Sequence, residues 1–300
     1  MTFSFAFGDP GDESSGALDL GLPFLGGEPR ESVLGSVERA EGGAEFSLWR
    51  GPEGIGGWSR VKPGDGLEET TRRLFAEILV LARGRSLHRI WSCVPRINSA
   101  EEGGLENYRS FCVGRSLAFE DGLGAGFERF LPASTAVGTA RAELTVVFLA
   151  GQQPARFVEN PAQVPAYKYP PEHGPRPPSF ARASVVDRAG KLDAFVSGTS
   201  AVRGHASVAP RDTAGQLDCT IENLGLVSRA CGLGDRLGAR SGKRHFKVYL
   251  RKREDYPAVA REMNRRLLVP GDRVSYLGAD ICRAELNVEI EVAVRGAEST

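Results

Sequence analysis

The order of predicted elements runs through this chain twice, and that repetition constrains the fold more than any single motif. In the first half, residues 45–49 read as a strand, 67–82 as a helix, 87–95 as a strand, 105–118 as a helix and 144–150 as a strand. In the second half, residues 193–198, 216–230, 244–251, 255–267 and 286–294 take the same order. The helix over 67–82 rests on Leu67, Leu74, Ile78 and Leu81 at helical spacing, stopped by Arg83-Gly84. Tyr108 followed by Phe111 is answered by Tyr256 followed by Val259, and residues 144–150 are answered by 286–292. The match is weak residue by residue but consistent in element order, which is the more telling kind of repeat. Each half is an α+β unit with helices on one face of a sheet. The other face needs a cover, and the obvious cover is the other half.

The 300 residues, 41% hydrophobic and 25% charged, suffice for two medium domains with cores of their own. A formal net charge of zero makes no electrostatic case for nucleic acid or an anionic membrane. No apolar run approaches the length of a membrane span. The start, MTFSFAFGDPGDESSG, lacks a basic region and turns acidic at once, unlike a secretory signal. Cys93, Cys112, Cys219, Cys231 and Cys282 are scattered, with no C-x-x-C pair. That argues against a metal cluster or a disulfide framework and for a reduced, cytoplasmic protein. The expected organisation is an N-terminal extension over 1–45, partly irregular with a short strand or two; a first domain over 46–151; a proline- and tyrosine-rich linker and site loop over 152–182; and a second domain over 183–300.

Chemistry concentrates in a few places. Leu286, Val288, Ile290, Val292 and Val294 alternate with Asn287, Glu289, Glu291 and Ala293, giving a strand with one apolar and one polar face. Glutamates on such a face are usually just solvated. If helices cover the apolar face, however, the polar face turns toward an inter-domain surface, where a carboxyl loses hydration and becomes a general acid. Glu289 is the first candidate and Glu291, roughly 6–7 Å further along, the second. Arg283 is either a surface charge or a carboxylate binder, and Cys282 either core packing or a weakly supported nucleophile. The loop over 164–182 is stiffened by proline and projects Tyr167, Tyr169, Arg176, Phe180 and Arg182. Ser197-Gly198-Thr199-Ser200 ends a strand, where glycine permits either a ligand's close approach or a bulge. His205 reads equally as structural or as a proton carrier. Residues 131–138, LPASTAVG, suit close backbone packing, or phosphate binding without a supporting P-loop lysine.

Several of these segments together resemble the chorismatases, chorismate-hydrolysing enzymes of secondary metabolism. The resemblance is carried by VPRIN at 94–98, ENYRSFCVGR at 106–115, LPASTAVG at 131–138, PAYKYP at 165–170, PSFARA at 178–183, SGT at 197–199, RGHAS at 203–207 and ADICRAELNVEIE at 279–291. It implies two domains, each related to the trimeric fold of reactive-intermediate deaminases and of one chorismate-mutase type, packed as a pseudo-oligomer. It also implies cleavage of chorismate to pyruvate and a ring product without cofactor or metal, in a chain that internal duplication allows to be a monomer. By the resemblance, Glu289 is the proton donor. Arg283, Arg182 and Lys247 are expected to hold the two substrate carboxylates, with Tyr169 and Thr199 as neutral donors and Tyr167 nearby. Cys282 and Gly198 resemble the aromatising type, which forms 3-hydroxybenzoate; the alternatives are the dihydroxycyclohexadiene carboxylate and 4-hydroxybenzoate. An imine or enamine deaminase and a non-catalytic binding protein are the competing classes.

Overall fold

In the computed structural model, residues 1–8, 13, 16–100 and 104–299 are described. The N-terminal extension is richer in strands than its composition suggests: β1 (Phe3–Ala6), β2 (Ala17–Asp19), β3 (Phe24–Gly27), β4 (Arg30–Leu34) and β5 (Glu38–Ala40). β2, β1 and β4 form a small sheet of their own, while β3 and β5 leave to join the edges of the two large sheets.

The first large sheet has strand order β5-β6-β7-β10-β8-β9. Along the chain these are β6 (Ser47–Gly51), β7 (Gly54–Val61), helix α1 (Leu67–Leu81), β8 (Ser86–Pro95), helix α2 (Asn107–Leu123), β9 (Ala133–Thr139) and β10 (Leu144–Gly151). β8 and β9 run parallel, and β10 runs antiparallel to both β7 and β8. α1 buries the apolar stripe read from its sequence, Leu67, Leu74 and Ile78, together with Phe75, and carries Glu68 and Glu69 in its first turn, where carboxylates favour the helix dipole. α2 lies close against it because Gly114 has no side chain; a Cβ there would sit 2.1 Å from the Glu68 carbonyl oxygen. Phe75 meets Phe111 and Phe119 edge-to-face at 5.8 Å in the core beneath.

The second sheet repeats the design with order β11-β12-β13-β18-β16-β17-β3. Its parts are β11 (Ala155–Val158), β12 (Ala183–Arg188), β13 (Lys191–Thr199), the short ribbon β14 (Val202–Arg203) and β15 (Ala206–Ser207), α3 (Thr213–Cys231), β16 (Lys243–Leu250), α4 (Tyr256–Arg266), β17 (Arg273–Gly278) and β18 (Val288–Glu298). β16 and β17 are parallel, and β18 is antiparallel to β13 and β16, as β10 is to β7 and β8. The expected α+β class, in two related halves with helices on one face of each sheet, is the observed one. Several strands escaped the sequence reading, among them β7, β9, β11, β12 and β17. β7 (GIGGWSRV) and β9 (ASTAVGT) are built of glycine and small residues because other side chains pack directly on their backbones. In β7, a Cβ on Gly56 would lie 2.8 Å from Phe3 Cδ1, and one on Gly57 2.6 Å from Leu48 Cδ2.

Val288, Ile290, Val292 and Val294 of β18 face α3 and α4 in the second core. The helix-free faces of the two sheets turn toward each other, and a third core fills the space between them. Trp91, Cys93, Val147 and Leu149 come from the first sheet and Phe195 and Tyr249 from the second, with Phe3, Phe5, Phe7 and Leu18 of the extension packed among them. Hydroxyls of β9 and of the facing strands stitch the sheets: the amides of Ala133 and Ser134 donate to Ser184 Oγ (2.8 Å) and Ser197 Oγ (2.9 Å), and the Gly198 amide donates to Thr135 Oγ1 (2.8 Å). The polar face of β18 opens into this inter-sheet layer.

Candidate active site

A cavity of about 250 Å³ lies where β18, β9, α2 and the proline-rich loop converge. Glu289 enters it from β18 and Ser134–Ala136 from β9; Tyr108 and Arg115 come from α2, Tyr169, Phe180 and Arg182 from the loop, and Gly198 and Ser200 from the end of β13. The β13–β18 register slips between Val196 and Thr199, and this bulge presents Gly198 to the cavity. A Cβ on Gly198 would lie 2.2 Å from Glu289 Oε1, so the glycine is the space in which the acid sits.

Two glutamates spaced two apart on one strand have opposite fates. Burial pushes the Glu289 carboxyl up to about 7; the charge of Glu291 adds to this, while the Ser200 hydroxyl, Arg89 and Arg182 oppose it. Ser200 Oγ lies 3.0 Å from the Val288 carbonyl oxygen and 3.1 Å from Glu289 Oε2. A hydroxyl has one proton, so a protonated Glu289 can donate to Ser200 while Ser200 donates to Val288. For Glu291, burial would also raise the pKa, but Lys247 and Arg89 outweigh it and hold the group down to about 2. Arg89 Nη2 donates to Glu291 Oε2 at 2.8 Å, Trp91 Nε1 donates to Oε1 at 2.8 Å, and Lys247 Nζ is 2.5 Å from Oε1. Of the two, Glu289 is the carboxyl that can hold a proton near neutral pH, and Glu291 is a fixed carboxylate beneath it, outside the cavity.

The cavity is cationic. Arg115 is 1% exposed, held between Phe111 (5.0 Å) and Phe180 (5.8 Å); its Nε has no hydrogen-bond partner, and no carboxylate among the described residues forms an ion pair with it. Arg182, also buried, donates from Nη2 to the Tyr169 hydroxyl (2.7 Å) and stacks on Phe180; its nearest carboxylate oxygen, of Glu159, is 4.0 Å away. Burial lifts Glu159 itself to about 7, against the pull of Arg182. Arg283 Nη1 donates to the His205 carbonyl oxygen (2.9 Å) and Ser207 Oγ (3.0 Å), with its guanidinium over the Tyr169 ring. Buried guanidinium groups with so little protein counter-charge favour an anionic guest with carboxylates. Cys282 is half-buried and lines the cavity. Burial first, then the Glu289 charge, pushes its thiol up to about 12, so it presents a neutral S–H and not a thiolate nucleophile.

Of the residues expected from sequence, Glu289, Cys282, Arg283, Arg182, Tyr169 and Gly198 line this cavity together. Three do not. Lys247 is the direct strand partner of Glu291, so its side chain lies on the same face, buried and engaged with Glu291 and with Glu31 of β4. Thr199 pairs with Ile290, on the helix side of the sheet, and bonds the Ser197 carbonyl oxygen at 2.9 Å; Ser200 takes the place expected for it. Tyr167 turns from the cavity to pack half-buried on the first core, two residues from Tyr169 across a 3-10 turn. Arg115 and Ser200 were missed. The available signal for Arg115 was an arginine one helical turn after Phe111, among the apolar positions of α2.

The comparisons with known proteins follow the same lines. Residues 43–150 match the family model described as "Chorismatase FkbO/Hyg5-like, N-terminal". A 3-hydroxybenzoate synthase of Streptomyces hygroscopicus is 37% identical over 249 residues, 78% of this chain and 72% of that one. The chain belongs to the chorismatase family. A chorismatase of Streptomyces rapamycinicus is 38% identical over 257 residues, covering 82% of this chain and 75% of the relative. A chorismatase crystal structure superposes with a TM-score of 0.77 at 33% identity, over 86% of this chain and 78% of the other. Among the described residues, no helix is long and apolar enough to cross a membrane.

Proposed function

We propose that this chorismatase converts chorismate to 3-hydroxybenzoate and pyruvate, with Glu289 delivering a proton to the terminal methylene carbon of the enolpyruvyl group. The observation that carries the reading is a buried carboxyl raised to about 7 inside a cavity ringed by Arg115, Arg182 and Arg283. Chorismate is a dianion with an acid-labile enol ether. The electron pair of its exocyclic double bond takes the Glu289 proton, leaving an oxocarbenium ion beside the new Glu289 carboxylate. The ether bond to the ring then breaks, its electron pair completing the carbonyl of pyruvate. The neighbouring ring hydroxyl oxygen bonds to the vacated carbon as its proton passes to the Glu289 carboxylate. The resulting epoxide opens at the carbon that first held the oxygen, with loss of the ring hydrogen from the other carbon and protonation of the oxygen, to give the 3-hydroxyl. The guanidinium groups and the Tyr169 hydroxyl hold the substrate carboxylates and so place the methylene carbon against the acid. The substrate's own charge raises the Glu289 pKa further once bound. Chorismate has the same atoms as 3-hydroxybenzoate plus pyruvate, so this route consumes no net water, whereas release of the diene diol consumes one. A neutral thiol at Cys282, lining the cavity where the resemblance places the cysteine of the aromatising type, supports the first route, as does the name of the relative from S. hygroscopicus.

In this reading residues 46–151 supply Arg115 and the β9 wall, 152–182 the loop that carries Tyr169 and Arg182, and 183–300 the acid. The chain acts as a monomer in the cytoplasm; the facing sheets that cover each other and the five free cysteines support this. Incubation of the purified chain with chorismate is expected to yield equimolar pyruvate and 3-hydroxybenzoate, and absence of pyruvate would refute the proposal. Glu289→Gln is expected to lower kcat by about 10²–10⁴-fold with little change in substrate binding. A near-normal rate for that variant would remove Glu289 as the donor.

A further inference from the structure

At the rim of the cavity stands a second group of side chains that the chemistry above does not use. Glu172 and His173 belong to the 3-10 turn Pro171–His173 of the proline-rich loop, and His205 to the turn between β14 and β15. His173 Nε2 lies 3.1 Å from His205 Nδ1, and Glu172 Oε1 lies 3.6 Å from the first nitrogen and 3.4 Å from the second. We propose that these three residues form a site for a divalent transition-metal ion of the zinc type, and that the bound ion ties the two turns together and closes the cavity to substrate.

The geometry carries the assignment. Tetrahedral zinc with bonds of about 2.0–2.1 Å to imidazole nitrogen and carboxylate oxygen has donor–donor edges of about 3.3–3.4 Å. The observed sides, 3.1, 3.4 and 3.6 Å, span that value. Two imidazoles and one carboxylate are a borderline-soft ligand set that suits zinc, and three protein ligands leave the fourth position open. Both turns are held before any ion arrives. The Val164 amide donates to the Gly204 carbonyl oxygen at 2.9 Å, and the Gly204 amide donates to that of Ala162 at 2.9 Å. Arg283 fixes the His205 carbonyl oxygen, and the Tyr169 ring packs against both imidazoles, at 5.1 Å from His173 and 6.4 Å from His205. The two rings stand nearly perpendicular, 77° apart. His173 and Tyr169 also line the active cavity, so an ion held here fixes part of its wall, which we take as the substrate's way in. The alternative occupant of the gap is a single proton shared between the two imidazoles, which needs no metal. The cysteine spacing gave no hint of the site, because its ligands lie on two loops over thirty residues apart, as the separation of His173 and His205 records.

Titration of the full chain with Co²⁺ and Zn²⁺ decides the matter. One equivalent of Co²⁺ is expected to bind with the visible absorption of tetrahedral cobalt and to be displaced by Zn²⁺. Glu172→Gln, at an exposed position that leaves folding alone, and His205→Ala are each expected to weaken binding by about tenfold or more. Absence of stoichiometric binding, or binding unchanged in His173→Ala/His205→Ala, overturns the site. Closure rests on the proposed chorismate reaction and is read separately: Zn²⁺ should stop turnover of the wild-type chain, chelation should restore it, and Glu172→Gln should resist. Full turnover with the metal bound overturns the closure. A chain inactive on chorismate refutes the proposed function, while the cobalt spectrum still decides the metal site.

Discussion

At the scale of single residues, the cavity gives two glutamates of one strand different surroundings, and the proposed mechanism rests on that difference. Glu289 has burial and one hydroxyl; Glu291 has Arg89, Trp91 and Lys247. A general acid with a raised pKa is in its working form below that value and is lost above it. For the free enzyme kcat/KM is therefore expected to be level in mild acid and to fall as pH rises through about 7. Because the bound dianion lifts the acid further, the same limb in kcat should lie at higher pH, and a pH-rate series measuring both checks the order. Cys282→Val is expected to shift product toward the diene diol, by chromatography of the ring products; unchanged ratios would count against a selectivity role. Glu289 was legible because alternation along β18 is local, and the argument for its burial needed only the order of elements. Thr199 misses the cavity because a bulge turns it to the helix face, and Lys247, on the inter-sheet face, misses it because register sets it opposite Glu291 and not Glu289; neither a bulge nor register is local.

At the scale of elements, the strands that sequence reading recovered carry large alternating side chains, whereas β7 and β9, which it missed, are built of glycine, alanine, serine and threonine. β9 is the plainest case. Its small residues and hydroxyls look like a loop or a phosphate site, yet they let it lie against β13 and exchange hydrogen bonds with Ser184, Ser197 and Gly198. The N-terminal extension was read as partly irregular, but β4 carries Glu31 to Lys247 in the inter-sheet layer, and Phe5 packs against the same lysine at 4.9 Å. Removing one member of a buried charge cluster leaves the others uncompensated. Glu31→Ala is expected to destabilise the fold by about 3 kcal/mol, less than the full cost of an unpaired lysine because Glu291 remains. Urea unfolding measures this, and a loss below about 0.5 kcal/mol would place the pair among the near-neutral kind.

At the scale of the molecule, the two halves share one topology but not one chemistry. β10 holds the place in the first sheet that β18 holds in the second, and it turns Val147 and Leu149 toward the inter-sheet layer where β18 turns Glu289 and Glu291. Truncation of residues 1–36 should expose that shared layer, including Trp91, Phe195 and Tyr249, and is expected to abolish cooperative thermal unfolding and to raise binding of a hydrophobic dye. Because only one of the two equivalent strands carries acids, on the proposed reading the chain has one acid site and not two. Calorimetry with an unreactive substrate analogue should accordingly return a single binding event per polypeptide, and the apolar strand of the silent copy is free to drift in sequence so long as it keeps its bulk.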